Sequence, residues 1–114
     1  MRNILWRPTQ PEKTKMAKLI SHVNNNYGTE LSSYDDLHAW SINYTSEFWS
    51  EIWDYCSIKY SKPYTNVIDD KTKMPGAKWF SGARLNYSEN LLRFQDEHPA
   101  IYFKSEEKPF QIIT

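Results

Sequence analysis

A chain of 114 residues with fourteen Lys and Arg against fourteen Asp and Glu carries no formal net charge, which removes long-range attraction to nucleic acid or anionic membrane as an organising force. The length suits one domain that buries roughly two thirds of its unfolded surface. The single cysteine, Cys56, excludes an internal disulfide framework and a cysteine-rich zinc site, and no apolar run approaches the ~20 residues of a membrane span.

The opening MRNILWRPTQPEKTK lacks a long apolar segment after its charge, so it makes a poor secretion signal, and the cytoplasm is the expected location. A first helix is expected to begin near Thr9, whose spacing to Glu12 is that of a capping box, with Pro11 tolerated in the first turn. Met16, Leu19, Ile20, Val23 and Tyr27 then share an arc of about 100°. Lys15, Lys18 and His22 lie off that stripe, and the cluster Lys13, Lys15, Lys18 reads as a solvated face. Asn24, Asn25 and Asn26 weaken the helix and Gly28 stops it. His22 reads as a solvent residue rather than a ligand.

A shorter helix is expected over 33–40, capped by Ser33, with Asp36 reaching back only in part. Tyr34, Leu37 and Trp40 share one face of it, and His38 lies at the rim. The third helix, capped by Thr45 or Ser46, supplies most of the core. Phe48, Trp49, Ile52, Trp53, Tyr55 and Cys56 span about 160° of its wheel, opposite Glu47, Ser50, Glu51 and Asp54. So broad an apolar face calls for more than one neighbour, as in a helix wedged between its own domain and something larger.

From 58 to 79 the chain reads as extended and irregular, since Pro63, Pro75 and Gly76 oppose a helix, with at most a short strand at Val67 and Ile68. Asp69 and Asp70 read as a solvated turn rather than a metal site. Residues 74–92, MPGAKWFSGARLNYSENLL, combine an aromatic anchor, a glycine turn and a helix start at which Asn86 and Glu89 have capping-box spacing. Leu91, Leu92 and Phe94 are expected to anchor that helix. Residues 100–103 and 110–113 read as two strands around the polar turn SEEK, a pair that is marginal unless it packs on something else. A chain stopping there has the look of a truncated one.

Motifs for chemistry are scarce. Three glycines, Gly28, Gly76 and Gly82, make neither phosphate-binding fingerprint, and no GxSxG elbow occurs. Cys56 on the apolar face reads as an inert core cysteine. Arg84, between a glycine turn and a helix start and amid Trp79, Phe80, Ala83 and Leu85, could meet a phosphate. Fixing the turn through bonds to carbonyls or a carboxylate is the stronger reading, with Glu89 as cap or partner. No catalytic, cofactor-binding or metal residue is assigned.

The segments YDDLHAWSINYTSEFWSEIWDY and WFSGARLNYSENLLR, with the opening ILWRPTQP and the segment MAKLI, resemble the amino-terminal domain of short-chain acyl-CoA synthetases of the adenylate-forming superfamily. The GARLNY wording is nearest to the acetoacetyl-CoA synthetase branch, while acetyl- and propionyl-CoA synthetases share the skeleton of FW…W and WF…LN…N. The likeness runs from 6 to 113. It implies a mainly α fold with a short C-terminal β-hairpin, in which 1–96 form the helical domain and 97–114 begin the large α/β domain. Trp40, Phe48, Trp49, Trp53, Trp79, Phe80, Leu85, Asn86 and Asn90 match the structural pattern of that domain, and Arg84 and Glu89 accompany them at the surface.

The resemblance implies a parent enzyme that adenylates a carboxylate with ATP and Mg2+ and passes the acyl group to CoA, a ligase of fatty acid metabolism. Its phosphate loop, acyl pocket, hinge and late lysine fall outside this sequence. The chain alone is therefore expected to be inactive and to need no cofactor. Its expected partner is the missing large domain, with self-association through exposed aromatic surface and no nucleic acid or membrane. An autonomous interaction module from a truncated synthetase is the competing reading. A nucleic-acid-binding helical domain is disfavoured by the balanced charge.

Overall fold

The computed structural model describes residues 6–114. Residues 1–5, which include the first two letters of ILWRPTQP and the start of the leader and domain expectations, lie outside the described residues.

The first helix starts later than its spacing suggests. Pro11–Lys13 form a 3-10 turn without a side-chain cap, and α1 (Lys15–Tyr27) is capped by Thr14, whose Oγ1 accepts from Ala17 N at 3.2 Å. Thr9 is therefore not the cap: proline at the head of the turn tightens residues 11–13 and hands the capping role to the next threonine. Gly28 closes α1 in the left-handed region at φ 63°, donating its N–H to Asn24 O.

The second helix, α2 (Tyr34–Asn43), opens with a complete capping box. Asp36 Oδ2 accepts from Ser33 N at 2.9 Å and Ser32 N at 3.0 Å, while Ser33 Oγ accepts from Asp36 N. The shorter carboxylate closes the box in full, and it takes the Ser32 hydroxyl as well. These bonds hold Asp36 below the usual carboxylate range, the Ser32 main-chain bond first. α3 (Thr45–Tyr55) follows after one residue. Its N-cap is Tyr44 with no side-chain cap, since Thr45 Oγ1 turns back to Ile42 O.

The three helices pack around Val23, Leu37 and Trp40, with Leu19, Ile20, Leu31 and Phe48 against them. The arc of α3 faces both this core and a second aromatic layer. One residue of its polar side is also enclosed: Glu51, expected in solvent, is only 5% exposed, while Glu47 and Asp54 stay exposed. It accepts from Asn26 Nδ2 at 3.0 Å and pairs with His22, so α1 supplies polar partners where a wheel of α3 alone shows open water. Ser50 shares a hydrogen bond with Tyr64 Oη at 2.7 Å. Cys56, expected in the core, is exposed at the C-cap of α3.

The segment 58–79 is more regular than its prolines suggest. β1 (Asn66–Ile68) pairs antiparallel with β2 (Trp79–Ser81), Asn66 opposite Ser81 and Ile68 opposite Trp79, and Val67 and Ile68 are buried. A short α4 (Tyr87–Leu91) is capped by Asn86. The chain then forms the expected hairpin of β3 (Ile101–Phe103) and β4 (Gln111–Ile113), Tyr102 opposite Ile112. The fold is a small, mainly helical domain with a short C-terminal β-hairpin. Among the described residues no helix is long and apolar enough to cross a membrane.

Candidate docking surface

The surface begins with how α3 ends. Cys56 N and Ile58 N return to Ile52 O and Trp53 O, with Ser57 left-handed at φ 51°, a Schellman-type stop that throws Ile58 back toward the helix. On the other wall β2 turns sharply. Phe80 sits at φ 46° and Gly82 at φ 86°, and a Cβ on Gly82 would approach Thr65 Oγ1 to 3.1 Å, so glycine alone permits this turn without displacement. A bulky residue with positive φ is costly. Phe80 is held there by its ring, 4.8 Å from Trp53 and 5.3 Å from Tyr64.

Between these walls lies an open groove lined by Trp49, Ile52, Ile58, Trp79, Ala83 and Leu85, with Trp53 and Phe80 as its floor. Trp49 and Trp79 meet edge to face at 5.7 Å and 72°. Trp53 is buried, whereas Trp49, Trp79 and Leu85 stay 39%, 44% and 46% exposed. An unbroken ring path, Tyr27–Trp40–Phe48–Trp49–Trp79, links the groove to the helical core. The groove is apolar and backed by packed rings, which suits the side chains of a protein surface better than a charged ligand.

Polar groups frame it. Arg84 joins the structure through its main chain: its N–H donates to Lys62 O, and its carbonyl accepts from Ser61 and Lys62. Among the described residues its guanidinium makes no hydrogen bond or ion pair, so the side chain does not fix the turn. Arg93, which carried no signal in the sequence, instead ties the end of α3 to α4. Its Nη1 donates to Cys56 O and its Nε to Asn90 O, both at 3.0 Å. Asn90 adds a two-way clamp, accepting from Lys59 N and donating to Lys59 O at 2.8 Å each, and donating also to Asn86 O. Asn86 Oδ1 accepts from Ser88 N and Glu89 N, but Glu89 makes no return bond and its side chain is exposed. Leu91, Leu92 and Phe94, expected to anchor α4, are exposed as well, because Asn90 and Arg93 anchor it instead. They border a second apolar hollow at the base of the hairpin, with Pro99 and Ala100.

The remaining titratable pairs serve the main chain. Asp69 accepts from Lys78 N and Asp70 N at 2.8 Å and from Lys73 Nζ at 3.0 Å, which lowers it to about 2, the Lys78 main-chain bond first. Asp70 accepts from the hydroxyl and N–H of Thr72, and these bonds lower it too. Among the described residues no three His, Cys, Asp or Glu side chains gather as metal ligands. His38, expected at the rim, is exposed and stacks on Tyr34.

Residues 34–91, just over half of the chain, match the family described as acetyl-coenzyme A synthetase N-terminus. The chain is 49% identical over 90 residues to a malonamoyl-CoA synthetase of Penicillium aethiopicum and 38% identical over 107 residues to an acetoacetyl-CoA synthetase of Danio rerio. These alignments cover 78% and 92% of this chain but only 12% and 16% of those relatives. Among solved structures, an acetoacetyl-CoA synthetase from Streptomyces lividans superimposes with a TM-score of 0.68 at 31% identity, over 76% of this chain and 14% of that one.

Proposed function

The chain belongs to the acetyl-coenzyme A synthetase N-terminus family, and from that premise we propose that it braces the large catalytic body of an ATP-dependent acyl-CoA synthetase. It is an N-terminal domain homologous to that of acetoacetyl-CoA synthetases, in the adenylate-forming superfamily. The observation that carries the bracing role is the groove itself: Trp49, Trp79 and Leu85 remain exposed directly above the buried Trp53. In this reading residues 1–96 form the bracing domain and 97–114 begin the large one. Trp49, Trp79 and Leu85 meet the body. Trp40, Phe48, Trp53 and Phe80 shape the groove from beneath, and Asn86 and Asn90 hold its rim with Arg84 and Glu89 facing out.

The proposed parent reaction joins acetoacetate, ATP and CoA into acetoacetyl-CoA, AMP and diphosphate, with Mg2+ accompanying ATP in the cytoplasm. Adenylation replaces a poor leaving oxygen on the carboxylate with a phosphate one, which the CoA thiol then displaces. The names acetoacetyl and malonamoyl both denote acyl groups with a second carbonyl two carbons from the thioester, one ending in methyl and the other in an amide nitrogen. This favours a short 3-oxo-type acid over plain acetate or propionate. The chain supplies scaffold in this scheme and no reacting group.

The test is complementation in trans. A synthetase of this branch without its own N-terminal domain is expected to gain acyl-CoA output when the chain is added, and to gain little when the added chain carries Leu85→Lys. Acyl-CoA formation by the chain alone would overturn the reading.

A further inference from the structure

The bridge between Lys62 and Arg84 sets two like charges against each other. The residues pair antiparallel, Arg84 N donating to Lys62 O at 3.0 Å and Lys62 N to Arg84 O at 3.2 Å. Side chains paired in this way stand directly opposite, with Cβ atoms ~4.5–5.5 Å apart, and like charges so placed work against the fold. Both residues are exposed. Among the described residues, neither side chain makes a hydrogen bond or an ion pair. The surroundings deepen the imbalance. Residues 55–68 and 71–88 hold Lys59, Lys62, Lys71, Lys73, Lys78 and Arg84 and no acidic residue, in a chain whose total charge is zero. Asp69 neutralises Lys73, and Lys71 reaches Asn43 O at the end of α2. Lys62 and Arg84 have no such counterpart among the described residues.

We infer that Lys62 and Arg84 form a docking point for a carboxylate carried by an acidic segment of a partner polypeptide. Charge complementarity selects the sign of the occupant: an anion seated between the two cations turns their repulsion into two attractions. The guanidinium presents paired donors that match the two oxygens of a carboxylate, and the ammonium adds a third. The main chain favours a carboxylate over a phosphate. The N–H groups of Ser61, Lys62 and Arg84 are spent on Arg84 O and Lys62 O, which leaves no nest of free donors for further oxygens. A residue pair that local stability disfavours is the kind a chain keeps where it recognises something else. Neither cation lines the groove, whose wall uses Ala83 and Leu85 on either side of Arg84, so the inference does not rest on the bracing reading.

The test titrates the chain with a tri-glutamate peptide blocked at both ends, followed by heteronuclear NMR, with circular dichroism confirming that each variant keeps its helices. The peptide is expected to shift the amide signals of residues 61–63 and 83–85 ahead of all others. Raising NaCl from about 0.05 M to about 0.5 M is expected to weaken it several-fold. Lys62→Gln with Arg84→Gln is expected to raise the dissociation constant roughly tenfold or more. Lys62→Glu is expected to abolish binding and yet to raise the urea midpoint of the free chain, because a cross-strand ion pair replaces a repulsion. Lys18→Gln, on the exposed side of α1, is expected to change neither. An unshifted spectrum overturns the proposal, as does an equal loss of binding in Lys18→Gln. So does a lowered urea midpoint in Lys62→Glu, or inorganic phosphate that binds the pair more tightly than the peptide. Failure of the bracing reading appears separately, in the complementation assay.

Discussion

Asn24 and Asn90 each aim a primary amide at the main chain of a loop, one seven residues away and the other 31. Asn24 donates to Leu31 O and accepts from Leu31 N, both at 2.9 Å, and Asn90 treats Lys59 in the same way at 2.8 Å. An asparagine amide offers the donor and acceptor of a peptide unit, so each side chain acts as one rung of a ladder where no strand exists. Replacing Asn90 with Ala is expected to destabilise the chain by roughly 1–2 kcal/mol, read as a lower urea midpoint, because partly exposed loop groups recover water. Asp69 acts by charge. Its folded pKa of about 2 lies below its ordinary 3.8, so its contribution is complete above about pH 4 and is lost as pH falls toward 2. Asp69→Asn is expected to flatten that part of the stability-against-pH curve, followed by denaturant midpoints at several pH values.

The end of α3 shows an element held in a conformation its residues do not favour. Ser57 occupies the left-handed region at φ 51° without being glycine, because Ile58 must turn back into the groove. Ser57→Gly is expected to stabilise the chain by roughly 1 kcal/mol, seen as a raised thermal midpoint, since the strain of a Cβ at positive φ is relieved. Elements written locally were legible in the sequence: the stripe of α1, the Gly28 stop, the Ser33 cap, the broad arc of α3 and the terminal strands. What escaped depends on partners far along the chain. Glu51 sits on a face that any wheel calls polar, and only the approach of Asn26 and His22 encloses it. Arg93 reaches back 37 residues to Cys56 O. A short strand at Val67 and Ile68 was legible, but its partner β2 was not, being three residues long with a positive φ at Phe80. In the groove, Trp49 and Trp79 were legible as aromatic anchors, but their meeting across 30 residues was not.

At the scale of the molecule, apolar side chains divide between a small closed core and two open areas, the groove and the hairpin with its base. The first should report itself in solution. Trp49→Ser together with Leu85→Ser is expected to reduce binding of a hydrophobic dye such as ANS markedly. The same change should lower stability by less than the ~3–5 kcal/mol typical of losing a buried aromatic, because both positions are already well exposed. A dye signal that does not fall would move the exposed surface elsewhere.

The hairpin has one more property, which follows from its two sides. Ile101, Phe103 and Ile113 lie on one side, Tyr102 and Ile112 on the other, and Gln111 is the only polar side chain in either strand. In most sheets a slip of one residue is forbidden because it would drag water-loving groups inward. Here such a slip exchanges grease for grease, so alignment of the two strands falls to the residues that connect them, 104–110, where Ser105 Oγ accepts from Lys108 N.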